Sequence, residues 1–150
     1  MNALLYLEDF HVGQRFKTGT YKLDAEQIKS FAKEFDPQPF HTDEAAAKKS
    51  FFGELVASGW HTAVISMRLL VTSGAPIAGG MIGAGGEVLW PRPTRPGDIL
   101  HVESEVVAVK PSESHPDRGT IALRSQTFNQ NGEVVQILTS KLVVPKKSVK

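Results

Sequence analysis

Residues Val56 to Gly74 read VASGWHTAVISMRLLVTSG, and their spacing decides the fold. Val56, Trp60, Ala63, Val64, Met67, Leu70 and Val71 recur at helical intervals with few strongly polar positions between them. This predicts a helix over Val56–Val71, apolar enough to be buried on most sides. Ser58 and Gly59 mark its start, Ser73 and Gly74 its end. Beyond a glycine-rich passage, Gly79 to Gly86, the period falls to two. Over Ile99 to Val109, Leu100, Val102, Val106 and Ala108 share one face, and His101, Glu103 and Glu105 the other. Thr120–Phe128 and Val134–Val144 are also strand-like, joined at Asn129-Gln130-Asn131-Gly132, where Asn-Gly suits a tight turn. Gly85–Leu89 reads as a further strand, stopped by Pro91, Pro93 and Pro96.

Working back toward the N-terminus, Asp24 is a good helix cap with Gln27 three residues on, the capping-box spacing. Ile28, Phe31, Ala32 and Phe35 form one apolar helical face, which Pro37 and Pro39 end near Phe35. A short helix fits Thr42–Lys49, with Thr42 as its cap. The order is an early strand, helices, then four strands in an antiparallel run. This is an α+β plan: an antiparallel β-sheet wrapped around one long central α-helix.

Composition narrows the function. A chain of 150 residues with 41% hydrophobic content suits a single domain, residues 1–150, able to fold without disulfides or structural metal. Having no cysteine removes disulfides, thiol catalysis and zinc–thiolate sites. Seventeen Lys and Arg against sixteen Asp and Glu give no field to attract nucleic acid. The start, MNALLYLEDF, lacks the basic region of a secretory signal. His61, Arg68 and seven glycines break the apolar stretch Val56–Trp90, so no membrane span is expected. The final KKSVK is expected to be a solvated tail. A cytoplasmic protein is the expectation.

The densest polar cluster at a structural break is Asp36-Pro37-Gln38-Pro39-Phe40-His41. An acid and an imidazole on a proline-stiffened loop can converge on one water, as general acid–base chemistry requires. The alternative is structural: Asp36 capping a helix end, His41 stapling the next. Ala57-Ser58-Gly59-Trp60 is the second candidate. Unpaired N–H groups at a helix start, with glycine permitting close approach, can hold a carbonyl oxygen gaining charge. A helix start that merely needs a cap and a close contact fits those residues too. No histidine pair has metal-ligand spacing, so no metal is expected. The glycines at 79, 80, 83, 85 and 86 lack the strand-then-helix context of a phosphate loop, and no G-x-S-x-G elbow occurs. Arg92 and Arg95 could meet phosphates or lie on a solvated loop.

The stretch FAKEFDPQPFHTDEAAAKKSFFGELVASGWHT resembles the signature of the MaoC-like acyl-CoA dehydratases, which include (R)-specific enoyl-CoA hydratases. The matching positions are Asp36, His41, Ala45 to Ala47, Phe52-Gly53 and Ser58-Gly59, with WPRPTRPGDIL resembling a later family segment. The resemblance implies a hot-dog fold and a homodimer or higher homo-oligomer with acyl-thioester tunnels near the subunit interface. It also implies that Asp36 and His41 hold a catalytic water, Asp36 taking its proton and His41 helping to protonate the α-carbon. Ser58 and Gly59 fall at the oxyanion and substrate-binding position, where the Gly59 N–H would meet the enolate oxygen. No cofactor is implied, since the CoA thioester is the substrate. Three positions depart from the pattern: Gln38 for a typical Asn, Phe35 for Gly and Ser58 for His. They bear on substrate preference, with Phe35, Phe40 and Trp60 either narrowing the acyl pocket or packing the core. The expected activity is reversible addition of water to a trans-2-enoyl-CoA, giving a (3R)-hydroxyacyl-CoA. A hot-dog thioesterase and a non-catalytic acyl-CoA binding protein are the alternatives.

Overall fold

Asp24 caps the first helix as its spacing predicts, accepting from the Gln27 N–H (2.8 Å) while Gln27 Oε1 accepts from the Asp24 N–H (2.9 Å). The helix, α1 (Ala25–Phe35), buries Ile28 and Ala32, and the terminal Phe35 rests exposed against Phe31. These features come from a computed structural model that describes residues 3–147. Of the expected tail, Ser148 to Lys150 lie outside the described residues.

The single helix expected over Thr42–Lys49 is two short ones, α2 (Pro39–Thr42) and α3 (Glu44–Lys48). Proline suits the first position of α2, where no N–H is needed. Asp43, not Thr42, caps α3: its backbone is extended, and its carboxylate accepts from the Ala45 and Ala46 N–H groups at 2.8 and 3.1 Å. The long helix, α4, runs from Gly59 to Ser73 rather than from Val56. Ser58 Oγ accepts the Trp60 N–H (3.2 Å), which fixes the cap at Ser58 and leaves Val56 and Ala57 outside the helix.

The early strand is β1 (Arg15–Lys22), and the later four are β2 (Ile82–Leu89), β3 (Ile99–Pro111), β4 (Arg118–Phe128) and β5 (Val134–Pro145). All pair antiparallel in the order β1-β3-β4-β5-β2. The expected run therefore holds for β3, β4 and β5, whereas β2 crosses to the far side of β5. The prolines at 91, 93 and 96 end β2 and carry the chain across the sheet. On β3, Leu100, Val102 and Val106 are fully buried, but the register shifts between Val106 and Ala108 and turns Ala108 to solvent. A bulge of this kind resets the alternation, which the expected face did not include. The β4–β5 turn is longer than a two-residue hairpin: Asn129 N–H donates to Glu133 O, and Gly132 alone takes positive φ (+74°).

Ile65, Leu69 and Leu70 of α4 pack into one core with Leu23, Ile28, Leu100, Val102 and Val135. Burial of each such side chain is worth about 1.5–3 kcal/mol. The sheet covers one side of the helix only. Trp60 (59% exposed), Val64 (50%), Met67 (40%) and Val71 (58%) form an open apolar stripe on the other, correcting the expectation of burial on most sides. No helix among the described residues is long and apolar enough to cross a membrane.

Candidate active site

The chain turns sharply after α1 because Pro37 and Pro39 cannot continue a helix, and this places Asp36 at the helix end with its side chain 18% exposed. Both carboxylate oxygens are engaged. Gln38 Nε2 donates to Oδ1 (2.6 Å), and Ser58 Oγ donates to Oδ2 (2.7 Å). Burial pushes the Asp36 carboxyl up, but the hydrogen bonds from Ser58 and Gln38 and the charge of a protonated His41 outweigh it. The net result lies below the ordinary aspartate value, so the group is ionised at neutral pH.

His41 lies on α2 and is 5% exposed, so it is a buried group rather than a loop residue. Its Nδ1 is 2.7 Å from the Val56 carbonyl oxygen. A carbonyl only accepts, so Nδ1 carries the hydrogen and Nε2 is left to exchange protons. Nε2 faces Asp36 Oδ2 at 3.4 Å. The segment before α4 is pinned in turn, since Val56 N–H donates to Phe40 O (3.2 Å) and Ala57 N–H to Thr94 O (2.9 Å). Phe40 packs on the core and sets its ring edge-on to His41, centroids 4.6 Å apart.

Ser58 has one hydroxyl proton and gives it to Asp36, while its oxygen accepts from Trp60 N–H. It thus joins the α1 end to the α4 start, and at this corner the amide with no acceptor among the described residues is that of Gly59, the first residue of the helix. A Cβ at Gly59 would come within 2.7 Å of the Trp90 indole, so only glycine lets Trp90 lie there. Trp90 is fixed by donating Nε1–H to Gln136 Oε1 (3.0 Å) and by edge contact with Trp60.

A cavity of about 310 Å³ opens beside His41 and Gly59, with Phe51, Phe52 and Trp90 on its apolar walls. Thr62 and Thr94 also line it, residues that sequence reasoning had not singled out. Their hydroxyls are 2.9 Å apart across 32 positions of sequence, a pairing with no local signal. Phe35 and Trp60 do not line the cavity; Trp60 lies on the open stripe. Arg92 borders it, paired with Glu133 (3.1 Å), and Arg95 pairs with Glu54 (2.6 Å). Of the other histidines, His61 is buried and stacked on Phe31 (4.4 Å), and burial pushes its imidazole down. His101 meets Glu103 (2.8 Å) on the sheet, away from the pair.

This arrangement sets a carboxylate and an imidazole of fixed tautomer side by side at 3.4 Å, where both can reach one small polar molecule next to a helix N-terminus. Among known proteins, the family model described as MaoC like domain matches residues 9–126. A solved MaoC-like dehydratase from Rhodospirillum rubrum is 59% identical and superposes with a TM-score of 0.94, covering 97% of this chain and 99% of that one. The unliganded R-hydratase PhaJ1 from Pseudomonas aeruginosa is 28% identical with a TM-score of 0.73, covering 95% of this chain and 86% of that one. The uncharacterized protein YdeM of Bacillus subtilis (strain 168) is 36% identical over 127 residues, 83% of this chain and 87% of that protein. The sheet wrapped around α4 is the hot-dog fold of these solved neighbours.

Proposed function

Since the chain belongs to the MaoC-like domain family, we propose that it adds water reversibly across the double bond of a 2-enoyl-CoA, giving a 3-hydroxyacyl-CoA. The observation that carries this reading is the approach of Asp36 Oδ2 and His41 Nε2 to 3.4 Å, with the histidine tautomer set by Val56 O. The likeness to an R-hydratase supports the same chemistry and the (3R) product.

Water held by the pair attacks C3 while Asp36, ionised through Ser58 and Gln38, takes one of its protons. Electron density moves to the thioester oxygen, where the Gly59 N–H and the positive end of α4 stabilise the developing enolate. Protonated His41 then gives its Nε2 proton to C2. Addition leaves Asp36 protonated and His41 neutral, and transfer between the two restores the starting state. Positioned proton transfer of this kind contributes about 10²–10⁴-fold.

The active unit in this reading is a homodimer. The stripe of Trp60, Val64, Met67 and Val71, together with exposed Ile82 and Leu89 on the outer strand β2, is an apolar surface of the kind a partner covers. Sedimentation at micromolar concentration is expected to give twice the monomer mass, and Met67→Glu to shift it toward monomer. A wild-type monomer at that concentration removes the dimer from the reading.

Crotonyl-CoA tests the reaction. Loss of the enoyl absorbance without free thiol is expected; thiol release assigns a thioesterase instead, and neither signal leaves a binding protein.

A further inference from the structure

The cavity beside His41 and Gly59 changes character along its depth. Phe51 is 97% exposed and stands at the mouth, whereas Thr62 and Thr94 are each 2% exposed and stand at the inner end. Val56 (1%) and Ala57 (6%) are as deeply buried in the lining, so the inner end sets two hydroxyls beside aliphatic wall.

Their hydrogen bonding is asymmetric. Thr62 Oγ1 donates to Thr94 Oγ1 (2.9 Å), which uses the Thr62 proton. Thr94 Oγ1 is an acceptor in that bond, and its own proton has no acceptor among the described residues. A buried hydroxyl that lacks an acceptor is costly, and a ligand oxygen at the cavity end would relieve it. One helical turn beyond Thr62, outside the residues that line the cavity, Ser66 and Thr127 share a hydrogen bond of 2.6 Å. Thr94 is held firmly: its carbonyl accepts from Ala57 N–H (2.9 Å), within one residue of the Ser58 that contacts Asp36.

We propose that Thr94 reads the acyl group, selecting a short chain with a neutral oxygen acceptor, such as an ether, hydroxyl or ketone, beyond C3. This rests on the hydratase reading for the chemistry but concerns only the end of the pocket. A neutral acceptor is favoured over a carboxylate because one threonine donor cannot replace the hydration of a buried anion. The nearest basic side chain on the cavity, Arg92, sits at the exposed rim and is paired with Glu133.

The test compares 4-methoxybut-2-enoyl-CoA with hex-2-enoyl-CoA, chains of equal length that differ by one oxygen. In the wild type, kcat/KM should favour the methoxy substrate. Thr94→Val keeps the shape and removes the donor, so the ratio of the two kcat/KM values should fall about tenfold, within the range for an unmet buried hydrogen bond. Thr94→Ser should restore it. Taking the ratio between wild type and variant cancels the effect of the ether on the alkene's own reactivity. Calorimetric binding of saturated 4-methoxybutanoyl-CoA and hexanoyl-CoA repeats the comparison without turnover. If neither enoyl thioester is hydrated, the reaction assignment fails while the binding ratio still decides the role of Thr94. Equal wild-type affinity for the two saturated thioesters, or a ratio unmoved in Thr94→Val, overturns the proposal.

Discussion

Replacing Ser58 with alanine removes two interactions made by one oxygen, and pH separates them. The first is the helix cap, the Trp60 N–H donating to Ser58 Oγ; its loss costs about 0.5–2 kcal/mol. The second is the 2.7 Å bond to Asp36 Oδ2; a hydrogen bond to a charged acceptor is worth about 1.5–3 kcal/mol. At neutral pH the two together make Ser58→Ala less stable by about 3 kcal/mol. Asp36 titrates below its ordinary value in the folded chain, so its stabilising contribution is complete above the unfolded pKa of about 3.9 and is lost as pH falls through the folded value. The variant carboxyl titrates higher and loses less on acidification. The difference between wild type and variant should therefore shrink toward the cap value, about 1 kcal/mol, as the medium is acidified. Urea unfolding across this range measures it, and the same comparison in an Asp36→Ala background, which removes the acceptor altogether, should give only the cap value at neutral pH. In hydration assays the acid limb of the rate profile should move to higher pH. A destabilisation constant with pH, with an unmoved acid limb, refutes the idea that Ser58 holds the carboxylate.

Asp36→Asn and His41→Gln should each lower hydration by about 10²–10⁴-fold, whereas Asp43→Asn, which keeps the α3 cap, should leave the rate nearly intact. His41→Gln should also cost about 1–3 kcal/mol in unfolding, since its buried ring bonds Val56 O; unchanged stability would contradict that burial. Gly59→Ala drives a methyl into Trp90, so a loss of about 1–3 kcal/mol and a shift in tryptophan fluorescence are expected. His61 has a buried Nδ1 with no partner among the described residues and an imidazole pushed down by burial. Its contribution is complete above the unfolded value of about 6.5 and is lost as pH falls below it. His61→Phe should flatten the stability profile below neutrality in thermal melts, and an unchanged slope counts against the assignment.

Elements whose causes are local were legible in the sequence. The Asp24–Gln27 capping box spans one helical turn, and the period-two strands announce their faces directly. Asp36 and His41 could be paired on paper because five positions on a proline-stiffened turn cannot separate far. Contacts that depend on distant residues were not legible. The Ser58–Asp36 bond joins positions 22 apart, and whether a serine before a helix glycine faces substrate or a carboxylate is settled only by the fold. The Val106–Ala108 bulge leaves the composition of its strand unchanged, so alternation alone carried the expected face past it. The apolar periodicity of α4 also registers that a side chain avoids water without registering what covers it. Val64 and Ile65 look alike in sequence, yet one lies on the open stripe and the other in the core.

The bonds from Ser58 to Asp36 (2.7 Å) and from His41 to Val56 (2.7 Å) close the base of the excursion that runs through residues 42–55. Ala47 and Leu55 anchor that excursion in the core, but its tip, from Lys49 to Glu54, is largely exposed and carries the two phenylalanines at the cavity mouth. In the proposed reaction the reacting groups sit at the root and the side chains at the cavity mouth sit at the tip, so the two can vary separately. Doubling the length of a flexible loop costs only about 0.6 kcal/mol, and the clasp at the root isolates Asp36 and His41 from the change. If the proposed hydration holds, a graft or insertion confined to residues 50–53 would alter which acyl groups enter while leaving the proton-transfer geometry in place, making this tip the natural point for re-targeting the protein.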